Sequence, residues 1–236
     1  MSELKIEDIK DIQLVGYQLD LENKIFNAIN FLFSNTLGYI PFKGFLLYGP
    51  PGNGKTEIIK QASKKIAEAH NAKIMFIDGS DIASPKWGDA EKTLKNIFEI
   101  NDKEKRILIF DDIESLLIAR SSELAKEWHY SINSVLFHSL DMLDPSKMIV
   151  LATTNRIDLV DQALLSRLYT IEVPLPKPEE ISIIIKNYIE LWNLPSDMFN
   201  LIWNEVKANL TKNNLDIRRA LQIASEKYFD YLMSMR

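Results

Sequence analysis

Short apolar runs alternate along this chain with longer stretches of helical spacing. Lys43–Tyr48, Lys73–Asp78, Arg106–Asp111 and Met148–Thr153 are near-continuous apolar segments bounded by polar residues, and Ile171–Pro174 is a fifth. Between them, as in Glu57–Ala69, apolar residues recur at every third or fourth position, the period of a helix with one buried face. Strands apolar on both faces and separated by helices predict a parallel sheet covered on both sides. Upstream, Ile25, Ile29, Leu32 and Phe33 form a stripe at helical spacing that should face the core. Pro174, Pro176 and Pro178 interrupt the pattern, because proline lacks the ladder donor and pushes its predecessor toward extended geometry. After them come Glu179–Trp192, Met198–Ala208 and Asp216–Met233, all helical in pattern. The expected organisation is an α/β domain over residues 1–175 and a small all-helical lid over 176–236.

Composition narrows the class. A length of 236 residues with 46% hydrophobic and 26% charged side chains fits one globular domain, alone or with a small satellite, and extra targeting domains are not expected. Met1–Lys10 alternates charged and apolar residues, unlike a secretory signal. No apolar run reaches the ~18 residues that cross a bilayer, so a cytoplasmic protein without membrane insertion is expected. The absence of cysteine removes disulfides and thiolate chemistry. A net charge of -5 disfavours nucleic acid as partner without excluding a local basic patch. His70, His129 and His138 lack metal-ligand spacing, and Trp192 and Trp203 are expected to pack within the lid.

Candidate chemistry begins where the first strand ends. Gly49-Pro50-Pro51-Gly52-Asn53-Gly54-Lys55-Thr56 matches G-x-x-x-x-G-K-[ST] between a predicted strand and a predicted helix. Its glycines let backbone N–H groups crowd around phosphate oxygens, and the helix N-terminus adds its positive dipole end. Lys55 would reach the β and γ phosphates of ATP, and Thr56 would ligate Mg²⁺. By chance the four fixed positions recur in a chain this long on the order of once in a hundred. Ile107–Asp112 is an apolar strand ending in two carboxylates. With a phosphate loop upstream, Asp111 is expected to hold the metal and Asp112 to polarise the attacking water. Glu57, just after the loop, and Gly16, in the stretch Ile12–Tyr17 where the core pattern begins, are assigned to the same nucleotide site.

These segments together resemble the AAA family of ring ATPases. Lys43–Gly52 looks like its phosphate-loop entry, Asp111–Leu116 like its Walker B element, Leu151–Asp158 like its sensor-1 strand and Val160–Leu168 like its second region of homology. From the residues alone, Asn155 reads as a turn residue or a strand-end cap and Arg167 as a surface ion-pair former. The resemblance instead implies that Asn155 orients the water and that Arg167 reaches the γ-phosphate held by a neighbouring subunit of a homo-hexameric ring. An arginine in trans is worth ~10³–10⁵ in rate, so a lone subunit should hydrolyse poorly. Asp81–Leu94 is similar to the pore loop of protein-threading relatives such as katanin, which implies that Trp87, flanked by Lys86, grips a protein substrate. The alternative for Trp87 is core packing. Asp216–Gln222 looks like the sensor-2 helix of clamp loaders, in which Arg218 would touch the nucleotide; an exposed arginine pair is the alternative.

The chain also departs from the family pattern. Asp112 stands where the family usually has Glu, which predicts slow hydrolysis, and Thr170 stands where a second finger arginine often occurs. The pore segment is one residue short between Trp87 and Gly88. The leading expectation is an ATP-driven protein-remodelling ring; no recognition domain is expected ahead of the core, so that substrate would be chosen by an adaptor, a partner chain or the ring surface. A DNA-metabolism ATPase of clamp-loader type and a slow nucleotide-gated scaffold are the alternatives.

Overall fold

The computed structural model describes residues 2–35, 42–77, 89–99, 104–116, 123–212 and 216–234; Lys86 and Trp87 lie outside them. Six strands are described: β1 (Ser2–Leu4), β2 (Gly44–Tyr48), β3 (Lys73–Ile77), β4 (Arg106–Phe110), β5 (Met148–Thr154) and β6 (Tyr169–Glu172). They form one sheet in the order β1-β3-β4-β5-β2-β6. Every neighbouring pair is parallel except β1 with β3.

Successive residues of a strand point to opposite faces, and the apolar runs divide accordingly. Phe45, Leu47, Ile107, Ile109, Ile149 and Leu151 meet helices α1 (Gly16–Ser34) and α2 (Lys55–His70) on one face. Leu46, Leu108, Phe110, Val150 and Ala152 meet α3 (Asp89–Phe98) and α4 (Glu123–Met142) on the other. The stripe Ile25, Ile29, Leu32 and Phe33 is buried, as its period requires. A short helix α5 (Gln162–Leu165), capped by the Asp161 carboxylate on the Ala163 N–H, leads into β6.

A third cluster is all-helical, built from α6 (Pro178–Glu190), α7 (Ser196–Lys212) and α8 (Ile217–Ser234). Pro178 takes the first helical position, where its missing N–H is no loss, and Glu180 Oε2 accepts the Lys177 N–H at 2.9 Å. Trp192 stacks on Tyr228 with ring centroids 5.6 Å apart, and Trp203 packs against the same cluster.

Two differences from the sequence reading stand out. β1 pairs Leu4 with Ile74 and Ser2 with Phe76, so the sheet begins well before Ile12; three residues carry too little periodicity to mark a strand. The last strand runs Tyr169–Glu172 rather than Ile171–Pro174. Val173 still donates to the Tyr48 carbonyl at 2.7 Å, but Pro174 has no N–H with which to continue.

Candidate functional site

Strand order places the chemistry. β5 lies between the phosphate-loop strand β2 and the acidic strand β4, so the residue one step past β5 emerges between the loop and the two carboxylates. That residue is Asn155. Its Oδ1 accepts from Lys55 Nζ at 2.7 Å, and its Nδ2 donates to Asp112 Oδ1 at 2.8 Å. Lys55, Asn155 and Asp112 thus form one hydrogen-bonded row across the C-terminal strand ends, where open parallel sheets bind ligands.

Lys55 is buried, 5% exposed, and its ammonium faces four acceptors: the Gly49 and Pro50 carbonyls at 2.9 Å, Asn53 Oδ1 at 3.1 Å and Asn155 Oδ1. An ammonium has three protons, so the acceptors compete. Burial pushes its pKa down, and Arg218 adds to that, while Asp112, Glu114 and Asp111 pull it back up. Asp112 shows the reverse: burial and the charges of Asp111 and Glu114 raise its pKa, opposed by Lys55 and Arg218.

The loop is held from three sides. Asn53, fully buried, donates through Nδ2 to the Val173 carbonyl, and Gln18 of α1 donates to the Asn53 carbonyl at 2.7 Å. From the helical cluster, the Ile217 N–H donates to the Gly52 carbonyl at 3.2 Å. Gly52 has φ +78°, and a Cβ there would lie 2.6 Å from the Asp216 carboxyl carbon.

Thr56 Oγ1 and Thr153 Oγ1 each donate to Asp111 Oδ1, at 2.7 and 2.6 Å, and Thr153 Oγ1 also accepts the Asp112 N–H at 2.9 Å. Among the described residues no group of three or more His, Asp and Glu is placed to hold a metal alone. A hydroxyl and a carboxylate on one side of an open cleft nevertheless fit Mg²⁺, a hard cation that takes few protein oxygens and completes its shell with substrate phosphates and water. Thr56 and Asp111 are the residues that would hold it.

The cleft measures about 260 Å³ and is lined by Gly52–Glu57, Asp111, Asp112, Asn155, Ile217, Arg218 and Leu221. It therefore brings together most of the residues singled out from sequence, including Glu57 and Arg218. Gly49, Pro50 and Pro51 form the part of the loop outside that lining; the Gly49 and Pro50 carbonyls point to Lys55. Gly16 is not among the lining residues. It opens α1 with φ +54°, and a Cβ there would collide with the Glu180 carboxylate. A larger depression of about 670 Å³, lined by residues such as Glu3, Lys64, Lys73 and Glu104, carries none of these groups.

Arg167 lies apart from this cleft and is paired within its own chain. Nε and Nη2 bind both Asp141 oxygens at 2.7 Å, Nη1 donates to the Ala163 carbonyl at 2.7 Å, and the guanidinium sits 5.3 Å from the Phe137 ring centroid. The bidentate hydrogen bonds raise the Arg167 pKa and lower that of Asp141. Sequence reasoning missed Asp141, Thr153, Gln18, Asp216 and Glu114. Only Thr153 carried a local signal, as a polar residue closing an apolar strand.

A family profile described as "ATPase family associated with various cellular activities (AAA)" matches residues 45–175. Fidgetin-like protein 1 of Drosophila melanogaster is 33% identical over 192 residues, 78% of this chain and 32% of its own length. The "ATPase family gene 2 protein" of Schizosaccharomyces pombe is 31% identical over 161 residues, 68% and 18% of the two chains. An "AAA ATPase forming ring-shaped complexes" of Bifidobacterium dentium is 32% identical over 161 residues, 63% and 30%. The chain thus spans a third or less of the length of these relatives. In fold it is similar to the crystal structure of a FIGL-1 AAA domain, with TM-score 0.59 and 24% identity over 82% of this chain and 64% of that one. The profile covers the phosphate loop, the acidic strand end, Asn155 and Arg167 in a single match, and the chain belongs to the AAA family of ATPases.

Proposed function

We propose that this chain binds ATP with Mg²⁺, hydrolyses it in a ring of identical subunits, six by family expectation, and uses the turnover to remodel a protein substrate in the cytoplasm. The observation that carries the reading is the row Lys55–Asn155–Asp112 beside Thr56–Asp111. Lys55 binds the β and γ phosphates, leaving part of its present ring of acceptors to do so. Asp112, oriented by Asn155, takes hydrogen bonds from the attacking water and draws its proton. Thr56 and Asp111 would hold Mg²⁺, which would supply positive charge against the phosphates. Arg167, which sits outside its own cleft, serves the cleft of the next subunit. A relative described as forming ring-shaped complexes and a FIGL-1 AAA domain solved with ADP support the reading.

The test measures solution mass and phosphate release together, with and without ATP-Mg²⁺, over a range of protein concentration. Mass rising to a ring, with specific activity climbing alongside it, is expected. A chain that stays monomeric and idle while binding ATP refutes self-assembly; a ring without phosphate release favours a nucleotide-gated scaffold. For the threading step, Trp87→Ala should abolish remodelling while leaving ATPase intact, and persistent remodelling refutes it. Arg218 in the cleft lining also suits a clamp-loader-type ATPase, which ATP-dependent, salt-sensitive DNA binding would reveal.

A further inference from the structure

We propose that Glu114 is a positioning residue for hydrolysis, holding the backbone of Asn155 so that its amide aligns Asp112 and Lys55; this rests on the ATPase reading above. Glu114 lies in the 3-10 turn Ile113–Leu116 that follows β4 and is 7% exposed. Its Oε1 accepts the Asn155 N–H at 3.0 Å. Asn155 stands one residue past β5, whose pairing with β2 ends at Thr154 and Tyr48, so the ladder no longer fixes its backbone. The Glu114 contact supplies that constraint, and it is a charge-assisted bond, about twice as strong as a neutral one. The Asn155 amide then grips Asp112 at 2.8 Å and Lys55 at 2.7 Å.

The other Glu114 oxygen separates a functional from a structural role. Oε2 is buried and has no hydrogen-bond partner among the described residues. A buried carboxylate with an orphaned oxygen is destabilising relative to a neutral group of the same shape. The work of the side chain is the bond that Oε1 makes.

The geometry also predicts how Glu114 acts. Glu114 is not itself among the residues that line the cleft and reaches them through the Asn155 N–H, so its loss should lower kcat with little effect on nucleotide binding. It acts through the Asn155 side chain, so its loss should matter little once that side chain is gone.

The experiment is a double-mutant cycle on the assembled protein, with kcat and KM for ATP, nucleotide affinity and melting temperature read for each variant. Glu114→Ala is expected to lower kcat about ten-fold or more, as sub-ångström misplacement of reacting groups does, with nucleotide affinity within about two-fold of wild type. Glu114→Gln, which keeps an acceptor at Oε1, should recover most of that loss. In the Asn155→Ala background, Glu114→Ala should change kcat by less than about two-fold, because coupled residues are non-additive. Should Glu114→Ala fail to fold, Glu114→Asp, one methylene too short for the 3.0 Å contact, takes its place with the same expected loss. Equal kcat losses in both backgrounds, or no loss in the active protein, overturn the proposal while leaving the ATPase reading intact. An assembled wild type that binds ATP but never turns over removes both.

Discussion

Asp112→Glu should raise the rate of ATP hydrolysis. The reacting carboxylate of the wild type is held by Asn155 Nδ2 at 2.8 Å and emerges from a residue whose φ is +47°. Adding one methylene advances the carboxylate by roughly one carbon–carbon bond, ~1.5 Å. Misplacement by ~1 Å is worth up to ~10² in rate, about 2.7 kcal/mol of barrier. Against this stands the backbone: Asp is enriched at positive φ and Glu is not, and the left-handed region is disfavoured by roughly 1–2 kcal/mol for ordinary residues. Part of that strain already exists in the wild type, so a further loss of about 1 kcal/mol is expected, or ~2–4 °C in melting temperature for a chain of this size. Phosphate release at saturating ATP-Mg²⁺ should therefore rise about ten-fold or more while the melting point falls slightly. The assay must use protein concentrations at which wild type and variant show the same solution mass, so that assembly does not masquerade as chemistry. A kcat at or below wild type, with melting points within those few degrees, refutes the idea that the short carboxylate limits turnover.

Three further outcomes follow from the same geometry. Arg167→Ala and Lys55→Ala should each be nearly inactive alone, with a loss of ~10³ or more for the arginine, yet mixing them should restore turnover, because one subunit supplies the intact cleft and the other the intact Arg167; absence of complementation in mixed rings refutes action in trans. Gly52→Ala should lower the melting temperature by several degrees and weaken nucleotide binding, since it combines φ +78° with a Cβ 2.6 Å from the Asp216 carboxyl carbon; adding Asp216→Ala should relieve the collision but not the backbone strain of ~1–2 kcal/mol. Asp141→Asn should destabilise the chain at neutral pH by under about 1 kcal/mol, as exposed pairs do. The Asp141 pKa is depressed below 3.8 by Arg167, so the stabilisation is present above that value and is lost as pH falls through the folded-state value. Thermal melts of the two proteins should accordingly converge in acid, and a gap that persists there points to packing instead of charge.

What could be read from the chain, and what could not, divides along a physical line. The strand, loop and helix around the phosphate-loop motif were legible because its residues are contiguous, and each proposed role asks for its own residue type: Gly52 for backbone approach, Lys55 for charge, Thr56 for an oxygen ligand. Strands β2 to β5 were legible because burial on both faces leaves an apolar run, and the helices after residue 177 because three prolines precede only helical periods. Asn155 became a candidate through resemblance. Its working position, however, depends on β5 inserting between β2 and β4, an arrangement that joins positions 55, 112 and 155. No local period encodes such a crossing. The same holds for Arg167 with Asp141, Gln18 with Asn53, and Gly52 with Asp216, pairs separated by 26 to 164 positions that meet only after the sheet and the helical cluster have formed. Gly16, assigned to the nucleotide site from sequence, has a left-handed φ and packs against Glu180 at the junction with α6. Chemistry carried by adjacent residues is therefore open to sequence reasoning, while the alignment of that chemistry belongs to the fold. Asn155 is where the two meet, since the residue that makes it useful, Glu114, is tied to it by a single hydrogen bond across 41 positions.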